Sequence, residues 1–198
     1  MGSDLLHITR TTVAAFLVLL FAGSGYGRND LWRDASVYED TAIKSPSKSR
    51  VWNNLGNYRV SKRDITGAII AYDQARKLNP RNPGPWINLG ILCADAGKLS
   101  EALIYYQGAL QLDPRLYDVW FNMAHLYALQ AKHREAIEHY SKAIQIFPGY
   151  VEAWNNMGVS QQSIGLLRDA EASYRKALDI DPRFENAAEN LRRLKHQQ

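Results

Sequence analysis

Apolar and small residues along this chain recur on a fixed beat. Trp120, Met123, Ala124 and Tyr127 fall at i, i+3, i+4 and i+7, one face of a helix. A break follows near Ala131. Ala136, Ile137, Tyr140, Ala143 and Ile144 then form a second face, and Phe147-Pro148-Gly149 closes it, because proline cannot continue a helix. The outline returns at one constant spacing, that from Trp52 to Trp86. It is kept by Trp52, Trp86, Trp120 and Trp154; by Tyr38, Tyr72, Tyr106, Tyr140 and Tyr174; and by Pro46, Pro80, Pro114, Pro148 and Pro182. Small residues keep the same register at Gly56, Gly90, Ala124 and Gly158, at Ala68, Ala102, Ala136 and Ala170, and at Ala75, Ala109, Ala143 and Ala177. A period of this length signals stacked helix pairs, each unable to bury its own apolar faces without its neighbours. Small residues at the crossings let backbones approach, and Trp and Tyr fill the remaining space. That assigns the aromatics to the core rather than to a cofactor site. Gly97 and Gly165 stand at the inner turns, where positive φ is needed, but Arg63 and Ala131 occupy the same place in the other units.

The pattern W-x-N-L-G, then A, Y and A, then a closing proline, resembles the tetratricopeptide repeat. The resemblance implies an all-α fold, a right-handed superhelical array of four helix pairs at 47–80, 81–114, 115–148 and 149–182. Residues 183–198 read as a capping helix, with Phe184, Ala187, Ala188, Leu191 and Leu194 on one face. Residues 29–46 read as a half unit, since Tyr38 and Pro46 keep the beat without a preceding Trp or Asn.

The segment 1–28 differs in kind. No charge lies between Arg10 and Arg28, and Val13 to Ala22 are continuously apolar. This uncharged run sits at the short edge of a membrane-spanning helix, and its small-residue flank also fits a cleaved signal. The expectation is a single-pass membrane tether with the repeats on the non-cytoplasmic side; secretion after cleavage is the alternative.

One asparagine per unit also keeps the beat, at Asn54, Asn88, Asn122 and Asn156. The first helices of such an array line its concave side. An amide at each step could hold the main chain of an extended partner segment, or could bond locally and set the angle between repeats. Asn53, Asn57, Ile87, Phe121, His125 and Asn155 fall on the same expected surface and complete the candidate peptide-binding set. Its neighbours include Arg50, Gly84, Asp118 and Glu152. Some tetratricopeptide domains clamp a carboxylate with a Lys and Arg cluster; none occurs on this surface, which argues against a receptor for acidic tails.

Composition narrows the picture. Of 198 residues 46% are hydrophobic and 22% charged, an ordinary globular balance. The net charge of +4 is scattered, without the basic stripe of a nucleic-acid binder. With Cys93 as the single cysteine, neither a disulfide within the chain nor a cysteine-based metal site can form. There is no glycine-rich phosphate loop, GxSxG or HExxH, and His133 and His139 are placed on different helical faces. No catalytic residue, metal or cofactor is expected, and the chain reads as a non-enzymatic scaffold for protein–protein interaction.

A second resemblance covers YGRNDLWRDASVYEDTAIKSPSKSRVWNNLG, residues 26–56. Arg28, Asn29, Trp32, Lys44, Ser45, Pro46 and Arg50 are similar to the junction of multi-pass membrane proteins related to protein O-mannosyltransferases that carry such repeats. It implies, as an alternative function, an accessory or substrate-presenting domain of a membrane glycosyltransferase system.

Overall fold

The computed structural model describes residues 35–196, and side-chain burial within them from Tyr38 onward with Glu39 and Asp40 left aside. The described chain is all α-helical and divides into two units, one ending at Leu78 and the other beginning at Asn79. The first holds α1 (Ala35–Lys44), α2 (Ser49–Ser61) and α3 (Ile65–Leu78). The second holds α4 (Pro83–Asp95), α5 (Leu99–Leu112), α6 (Tyr117–Leu129), α7 (His133–Ile146), α8 (Val151–Ser163), α9 (Leu167–Ile180) and α10 (Glu185–Lys195). Antiparallel pairs are α2–α3, α4–α5, α6–α7 and α8–α9, and α10 closes the second unit against α9. Within that unit α6 also touches α8, and α8 touches α10, so successive first helices lie side by side.

Each recurring residue type has a local cause. The small positions are crossing points: Ala68, Ala102, Ala136, Ala170, Ala75, Ala109, Ala143 and Ala177 are all 0% exposed. In three of the four pairs the tyrosine ring lies directly on the glycine of its own pair, and in the remaining one Tyr140 is buried with Ala124. A Cβ added at Gly56, Gly90 or Gly158 would sit 2.3, 2.5 or 2.6 Å from the ring of Tyr72, Tyr106 or Tyr174. These tyrosines therefore seal their own pair rather than only filling space between pairs. The tryptophans do a different job. Trp52, Trp120 and Trp154 are half-buried, and their indole N–H groups donate to the carbonyls of Pro46, Pro114 and Pro148 at 2.8, 2.9 and 3.0 Å. In these three repeats the constant offset from Pro to Trp is thus a hydrogen bond that ties the loop to the helix it precedes.

Turn chemistry follows the same logic. Arg63 and Ala131 adopt φ of 62° and 57°, beside 74° and 79° for Gly97 and Gly165, so the inner turn is left-handed in every pair whatever residue occupies it. Asp113 and Asp181 accept the backbone N–H of Arg115 and Arg183, which explains the two DPR turns. Asn82 caps α4 by accepting from Gly84 N–H at 3.0 Å, with Pro83 at the first helical position.

Helix α1 packs against α2 ahead of the first pair. Tyr38 of α1 stacks on Tyr58 of α2 with centroids 5.0 Å apart, and Ala42 is buried with Leu55 and Ala71. At the other end Leu194 is fully buried beside Ala170 and Tyr174. Where Gly56, Gly90 and Gly158 meet a tyrosine ring, α10 carries Arg192, exposed, which makes α10 a solvating helix rather than the front of another close-packed pair.

The membrane expectation is corrected. No helix among the described residues is long and apolar enough to cross a membrane. The longest of them are 14 residues, about 21 Å at 1.5 Å per residue, short of a hydrocarbon core of about 30 Å. The transmembrane helix, the membrane as a partner and the single-pass localisation are withdrawn accordingly. The apolar run at 13–22, on which they rested, lies outside the described residues.

Candidate functional site

The candidate residues fall on the first helices. In α6 the inward face is Val119, Met123 and Leu126, all buried. Asp118, Phe121, Asn122 and His125 follow one another at helical spacing on the remaining face and are half-buried. In α4 and α8 the matching positions are Gly84, Ile87, Asn88 and Ile91, and Glu152, Asn155, Asn156 and Val159. Ile87 is 8% exposed and packs into the core, whereas Val159 is 41% exposed.

The beat asparagines differ from one another. Asn122, at the middle of the second unit, makes no side-chain hydrogen bond among the described residues, so its amide keeps a donor and an acceptor for another molecule. Asn54 of the first unit is likewise open. Asn156 is engaged: its Oδ1 accepts from Asn155 Nδ2 at 3.0 Å, and its amide hydrogen-bonds Tyr140. Asn155, 5% exposed, is held on its other side by Asn190, whose Nδ2 donates to Asn155 Oδ1 at 2.9 Å. Asn190 lies one further period beyond Asn156 and is a fifth member of the series. Counting one more beat past Asn156 would have found it. Asn57 Oδ1 accepts from the Tyr72 hydroxyl at 2.7 Å, so this residue serves the core of its own pair. Asn53, half-buried, shares the first-helix face with Asn54 and Asn57.

Phe121 is not a free contact residue. Its ring packs on Tyr150 at 4.8 Å and on Tyr140 at 5.6 Å. Tyr117 meets Phe147 at 5.0 Å and Tyr150 edge-on at 5.4 Å, which extends the cluster to the surface. Burial raises the Tyr150 phenol well above its ordinary range, and the carboxylates of Glu152 and Asp118 add to the rise. Burial also raises the Asp118 carboxyl, partly offset by the backbone N–H of Val119, which donates to Oδ1 at 2.9 Å. His125 is pushed below its usual value by burial, which keeps the imidazole neutral near pH 7.

Metal chemistry gains nothing from this surface: among the described residues no three His, Cys, Asp or Glu side chains come together. His139 instead donates through Nδ1–H to the Glu135 carbonyl and faces the rings of Trp120 and Tyr127. Cys93 is half-buried, its Sγ 3.9 Å from Glu101 Oε2, and burial followed by that carboxylate raises its thiol.

Stacked helix pairs of this length, each closed by a tyrosine buried against a small residue, define a helical-repeat scaffold. Tetratricopeptide repeat profiles match residues 53–116, 117–150 and 151–184, and the chain belongs to the tetratricopeptide repeat family. Among solved structures it is similar to MamA at 22% identity and a TM-score of 0.69, over 75% of this chain and 86% of that one. It is similar to a chain of the APC/C hetero-tetramer Cut9-Hcn1 at 17% identity and a TM-score of 0.70, over 80% of this chain and 32% of that one. The first repeat domain of Spaghetti (RPAP3), bound to the HSP90 peptide SRMEEVD, aligns at 22% identity and a TM-score of 0.55, over 57% of this chain and 89% of that one. At these identities the likeness is one of fold. Curated proteins give no match to the chain. None of these relatives connects it to O-mannosyltransferase-associated repeat proteins, so the junction reading of 26–56 and its glycosyltransferase partner are withdrawn.

Proposed function

We propose that the chain is a non-enzymatic scaffold that binds an extended segment of a partner protein along the face of its first helices. The observation that carries this reading is Asn122, half-buried and with its amide unspent, on a face whose repeat positions also carry apolar Ile91 and Val159. Asn88 and Asn122 are the proposed main-chain anchors of the second unit, with Ile87, Phe121 and His125 shaping the apolar middle. Asn54 and Asn53 hold the corresponding positions of the first unit. Asn156 and Asn155 contribute by fixing α8 against α10, and Asn57 by fixing its own tyrosine. The repeat limits 47–80, 81–114, 115–148 and 149–182, with a cap at 183–198, are proposed as its modular units. A domain of similar fold is seen with a peptide bound, which supports the class of ligand. That peptide is acidic, and Asp118 and Glu152 on this face disfavour such a tail.

The test is selection of displayed peptides on the full chain, followed by crosslinking from a photoreactive residue at Val159. Selected peptides should crosslink there and lose at least about tenfold in affinity, some 1.4 kcal/mol, on Asn88→Ala plus Asn122→Ala. Undiminished binding to a folded double variant would refute the groove.

A further inference from the structure

Helix α6 and the loop between α7 and α8 carry an aromatic step beside two carboxylates. At its surface edge stand Tyr117, 36% exposed, and Phe147, 43% exposed. Tyr150 closes on Tyr117 at 5.4 Å with the rings nearly perpendicular, at 85°, and on Phe121 at 4.8 Å. Asp118 follows Tyr117 in the first turn of α6, and Glu152 stands in the first turn of α8. Helices α6 and α8 touch, and Asp118 and Glu152 both lie near enough to the Tyr150 phenol to raise it electrostatically.

Neither carboxylate has an ion-pair partner among the described residues. The ion pairs present fall elsewhere, between Arg59 and Asp64, Arg76 or Lys77 and Asp73, Lys98 and Glu101, and Arg175 and Glu171. This occurs in a chain with 24 Lys and Arg against 20 Asp and Glu, where basic residues are in surplus. Acids in a first turn ordinarily serve the helix macrodipole. A carboxyl in that role is held low, whereas Asp118 is held high by burial, with Asp113 adding to the rise and no cation opposing it. Its burial therefore costs more than the helix end returns. A half-buried carboxyl beside exposed aromatic rings, with no cation of its own chain paired to it, is suited to meet an oppositely charged ligand. Aromatic faces attract cations by their quadrupole, most strongly for a planar guanidinium.

We infer that the Tyr117–Tyr150–Phe121 step, with Asp118 and Glu152, is a pocket for a basic side chain, arginine in particular, of the bound segment. This rests on the proposed peptide groove and adds to it a specificity: a segment with a fixed arginine among apolar residues. The guanidinium lies against the rings of Tyr117 and Tyr150 and hydrogen-bonds to the carboxylates, while its main chain meets Asn122 one turn along α6.

The test uses the full chain with ring-labelled aromatics, titrated with N-acetyl-arginine amide and with its neutral isostere N-acetyl-citrulline amide. Arginine should shift the ring resonances of Tyr117 and Tyr150, citrulline should not, and Asp118→Asn plus Glu152→Gln should abolish the difference. Equal shifts from both probes, no shift from either, or shifts that survive in the double variant would overturn the pocket. Asp118→Asn should also raise the unfolding midpoint at neutral pH while weakening binding, since it removes a buried charge and keeps the bond from Val119. A role at the helix end alone would lower the midpoint. The groove is tested separately by the selected peptides. A peptide whose binding depends on Asn88 and Asn122 but not on Asp118 or on its own arginine sinks the pocket and keeps the groove. Binding that depends on Asp118 and on neither asparagine does the reverse.

Discussion

Asn190→Ala isolates the device that keys the final helix to the array. Asn155 is 5% exposed, and its amide oxygen has Asn190 Nδ2 as its donor at 2.9 Å. Truncating Asn190 leaves that buried oxygen without a partner, at a cost of about 1–3 kcal/mol. Asn155→Ala removes the buried amide instead. It releases Asn156 Oδ1 and Asn190 Nδ2, both on half-buried residues that water reaches, so it forfeits only the net worth of the bonds, about 0.5–1.5 kcal/mol each. Once Asn155 is gone, Asn190→Ala should cost little, and the double-mutant cycle should show coupling of about 1–2 kcal/mol. Urea unfolding by far-UV circular dichroism supplies the four stabilities, and amide exchange in α10 locates the effect. Additive changes, with Asn190→Ala below about 0.5 kcal/mol, would mean that water already serves Asn155 and that α10 is held by Leu194 and Leu191 alone.

The inner turns offer a test of backbone strain free of packing. Ala131→Gly should stabilise by about 0.5–1 kcal/mol, the left-handed penalty of roughly 1–2 less the entropy of the unfolded glycine, read from the urea midpoint. Gly165→Ala should destabilise by about 1 kcal/mol through φ alone, because nothing lies within 4 Å of the added Cβ. Acid sensitivity should trace to His125. Its folded pKa is depressed by burial, so below the unfolded value of about 6.5 the unfolded chain takes up a proton that the folded chain refuses. Stability is then complete above that pH and declines as pH falls through the folded value. His125→Gln should flatten the decline below about pH 6.5 in denaturation curves, and an unchanged slope would assign it elsewhere.

Much of this architecture was legible in the linear chain because a tandem repeat repeats its own physics. The helix pairs, the terminal helix and the half unit around Tyr38 followed from apolar spacing, which records the face each helix buries. The identical positions of Asn54, Asn88, Asn122 and Asn156 were equally plain, but their roles were not. A side-chain amide finds its partner in another helix, and only folding sets Asn190 against Asn155, Tyr140 against Asn156, and leaves Asn122 open. Trp and Pro were both visible on the beat, yet their tie is a hydrogen bond to a backbone carbonyl that carries no residue label. Arg63 and Ala131 accept the same positive φ as glycine because the packed helices on either side dictate the turn. Ile87 and Phe121 looked like contact residues by register; packing turned Ile87 inward and set the Phe121 ring against Tyr150 and Tyr140. The sequence by itself determined the period, the helices and the buried stripe, since those depend on neighbours within a turn of helix. Which polar groups remain free to meet a partner was decided by side chains a full repeat away, as Asn190 is from Asn156, and therefore only by the tertiary structure.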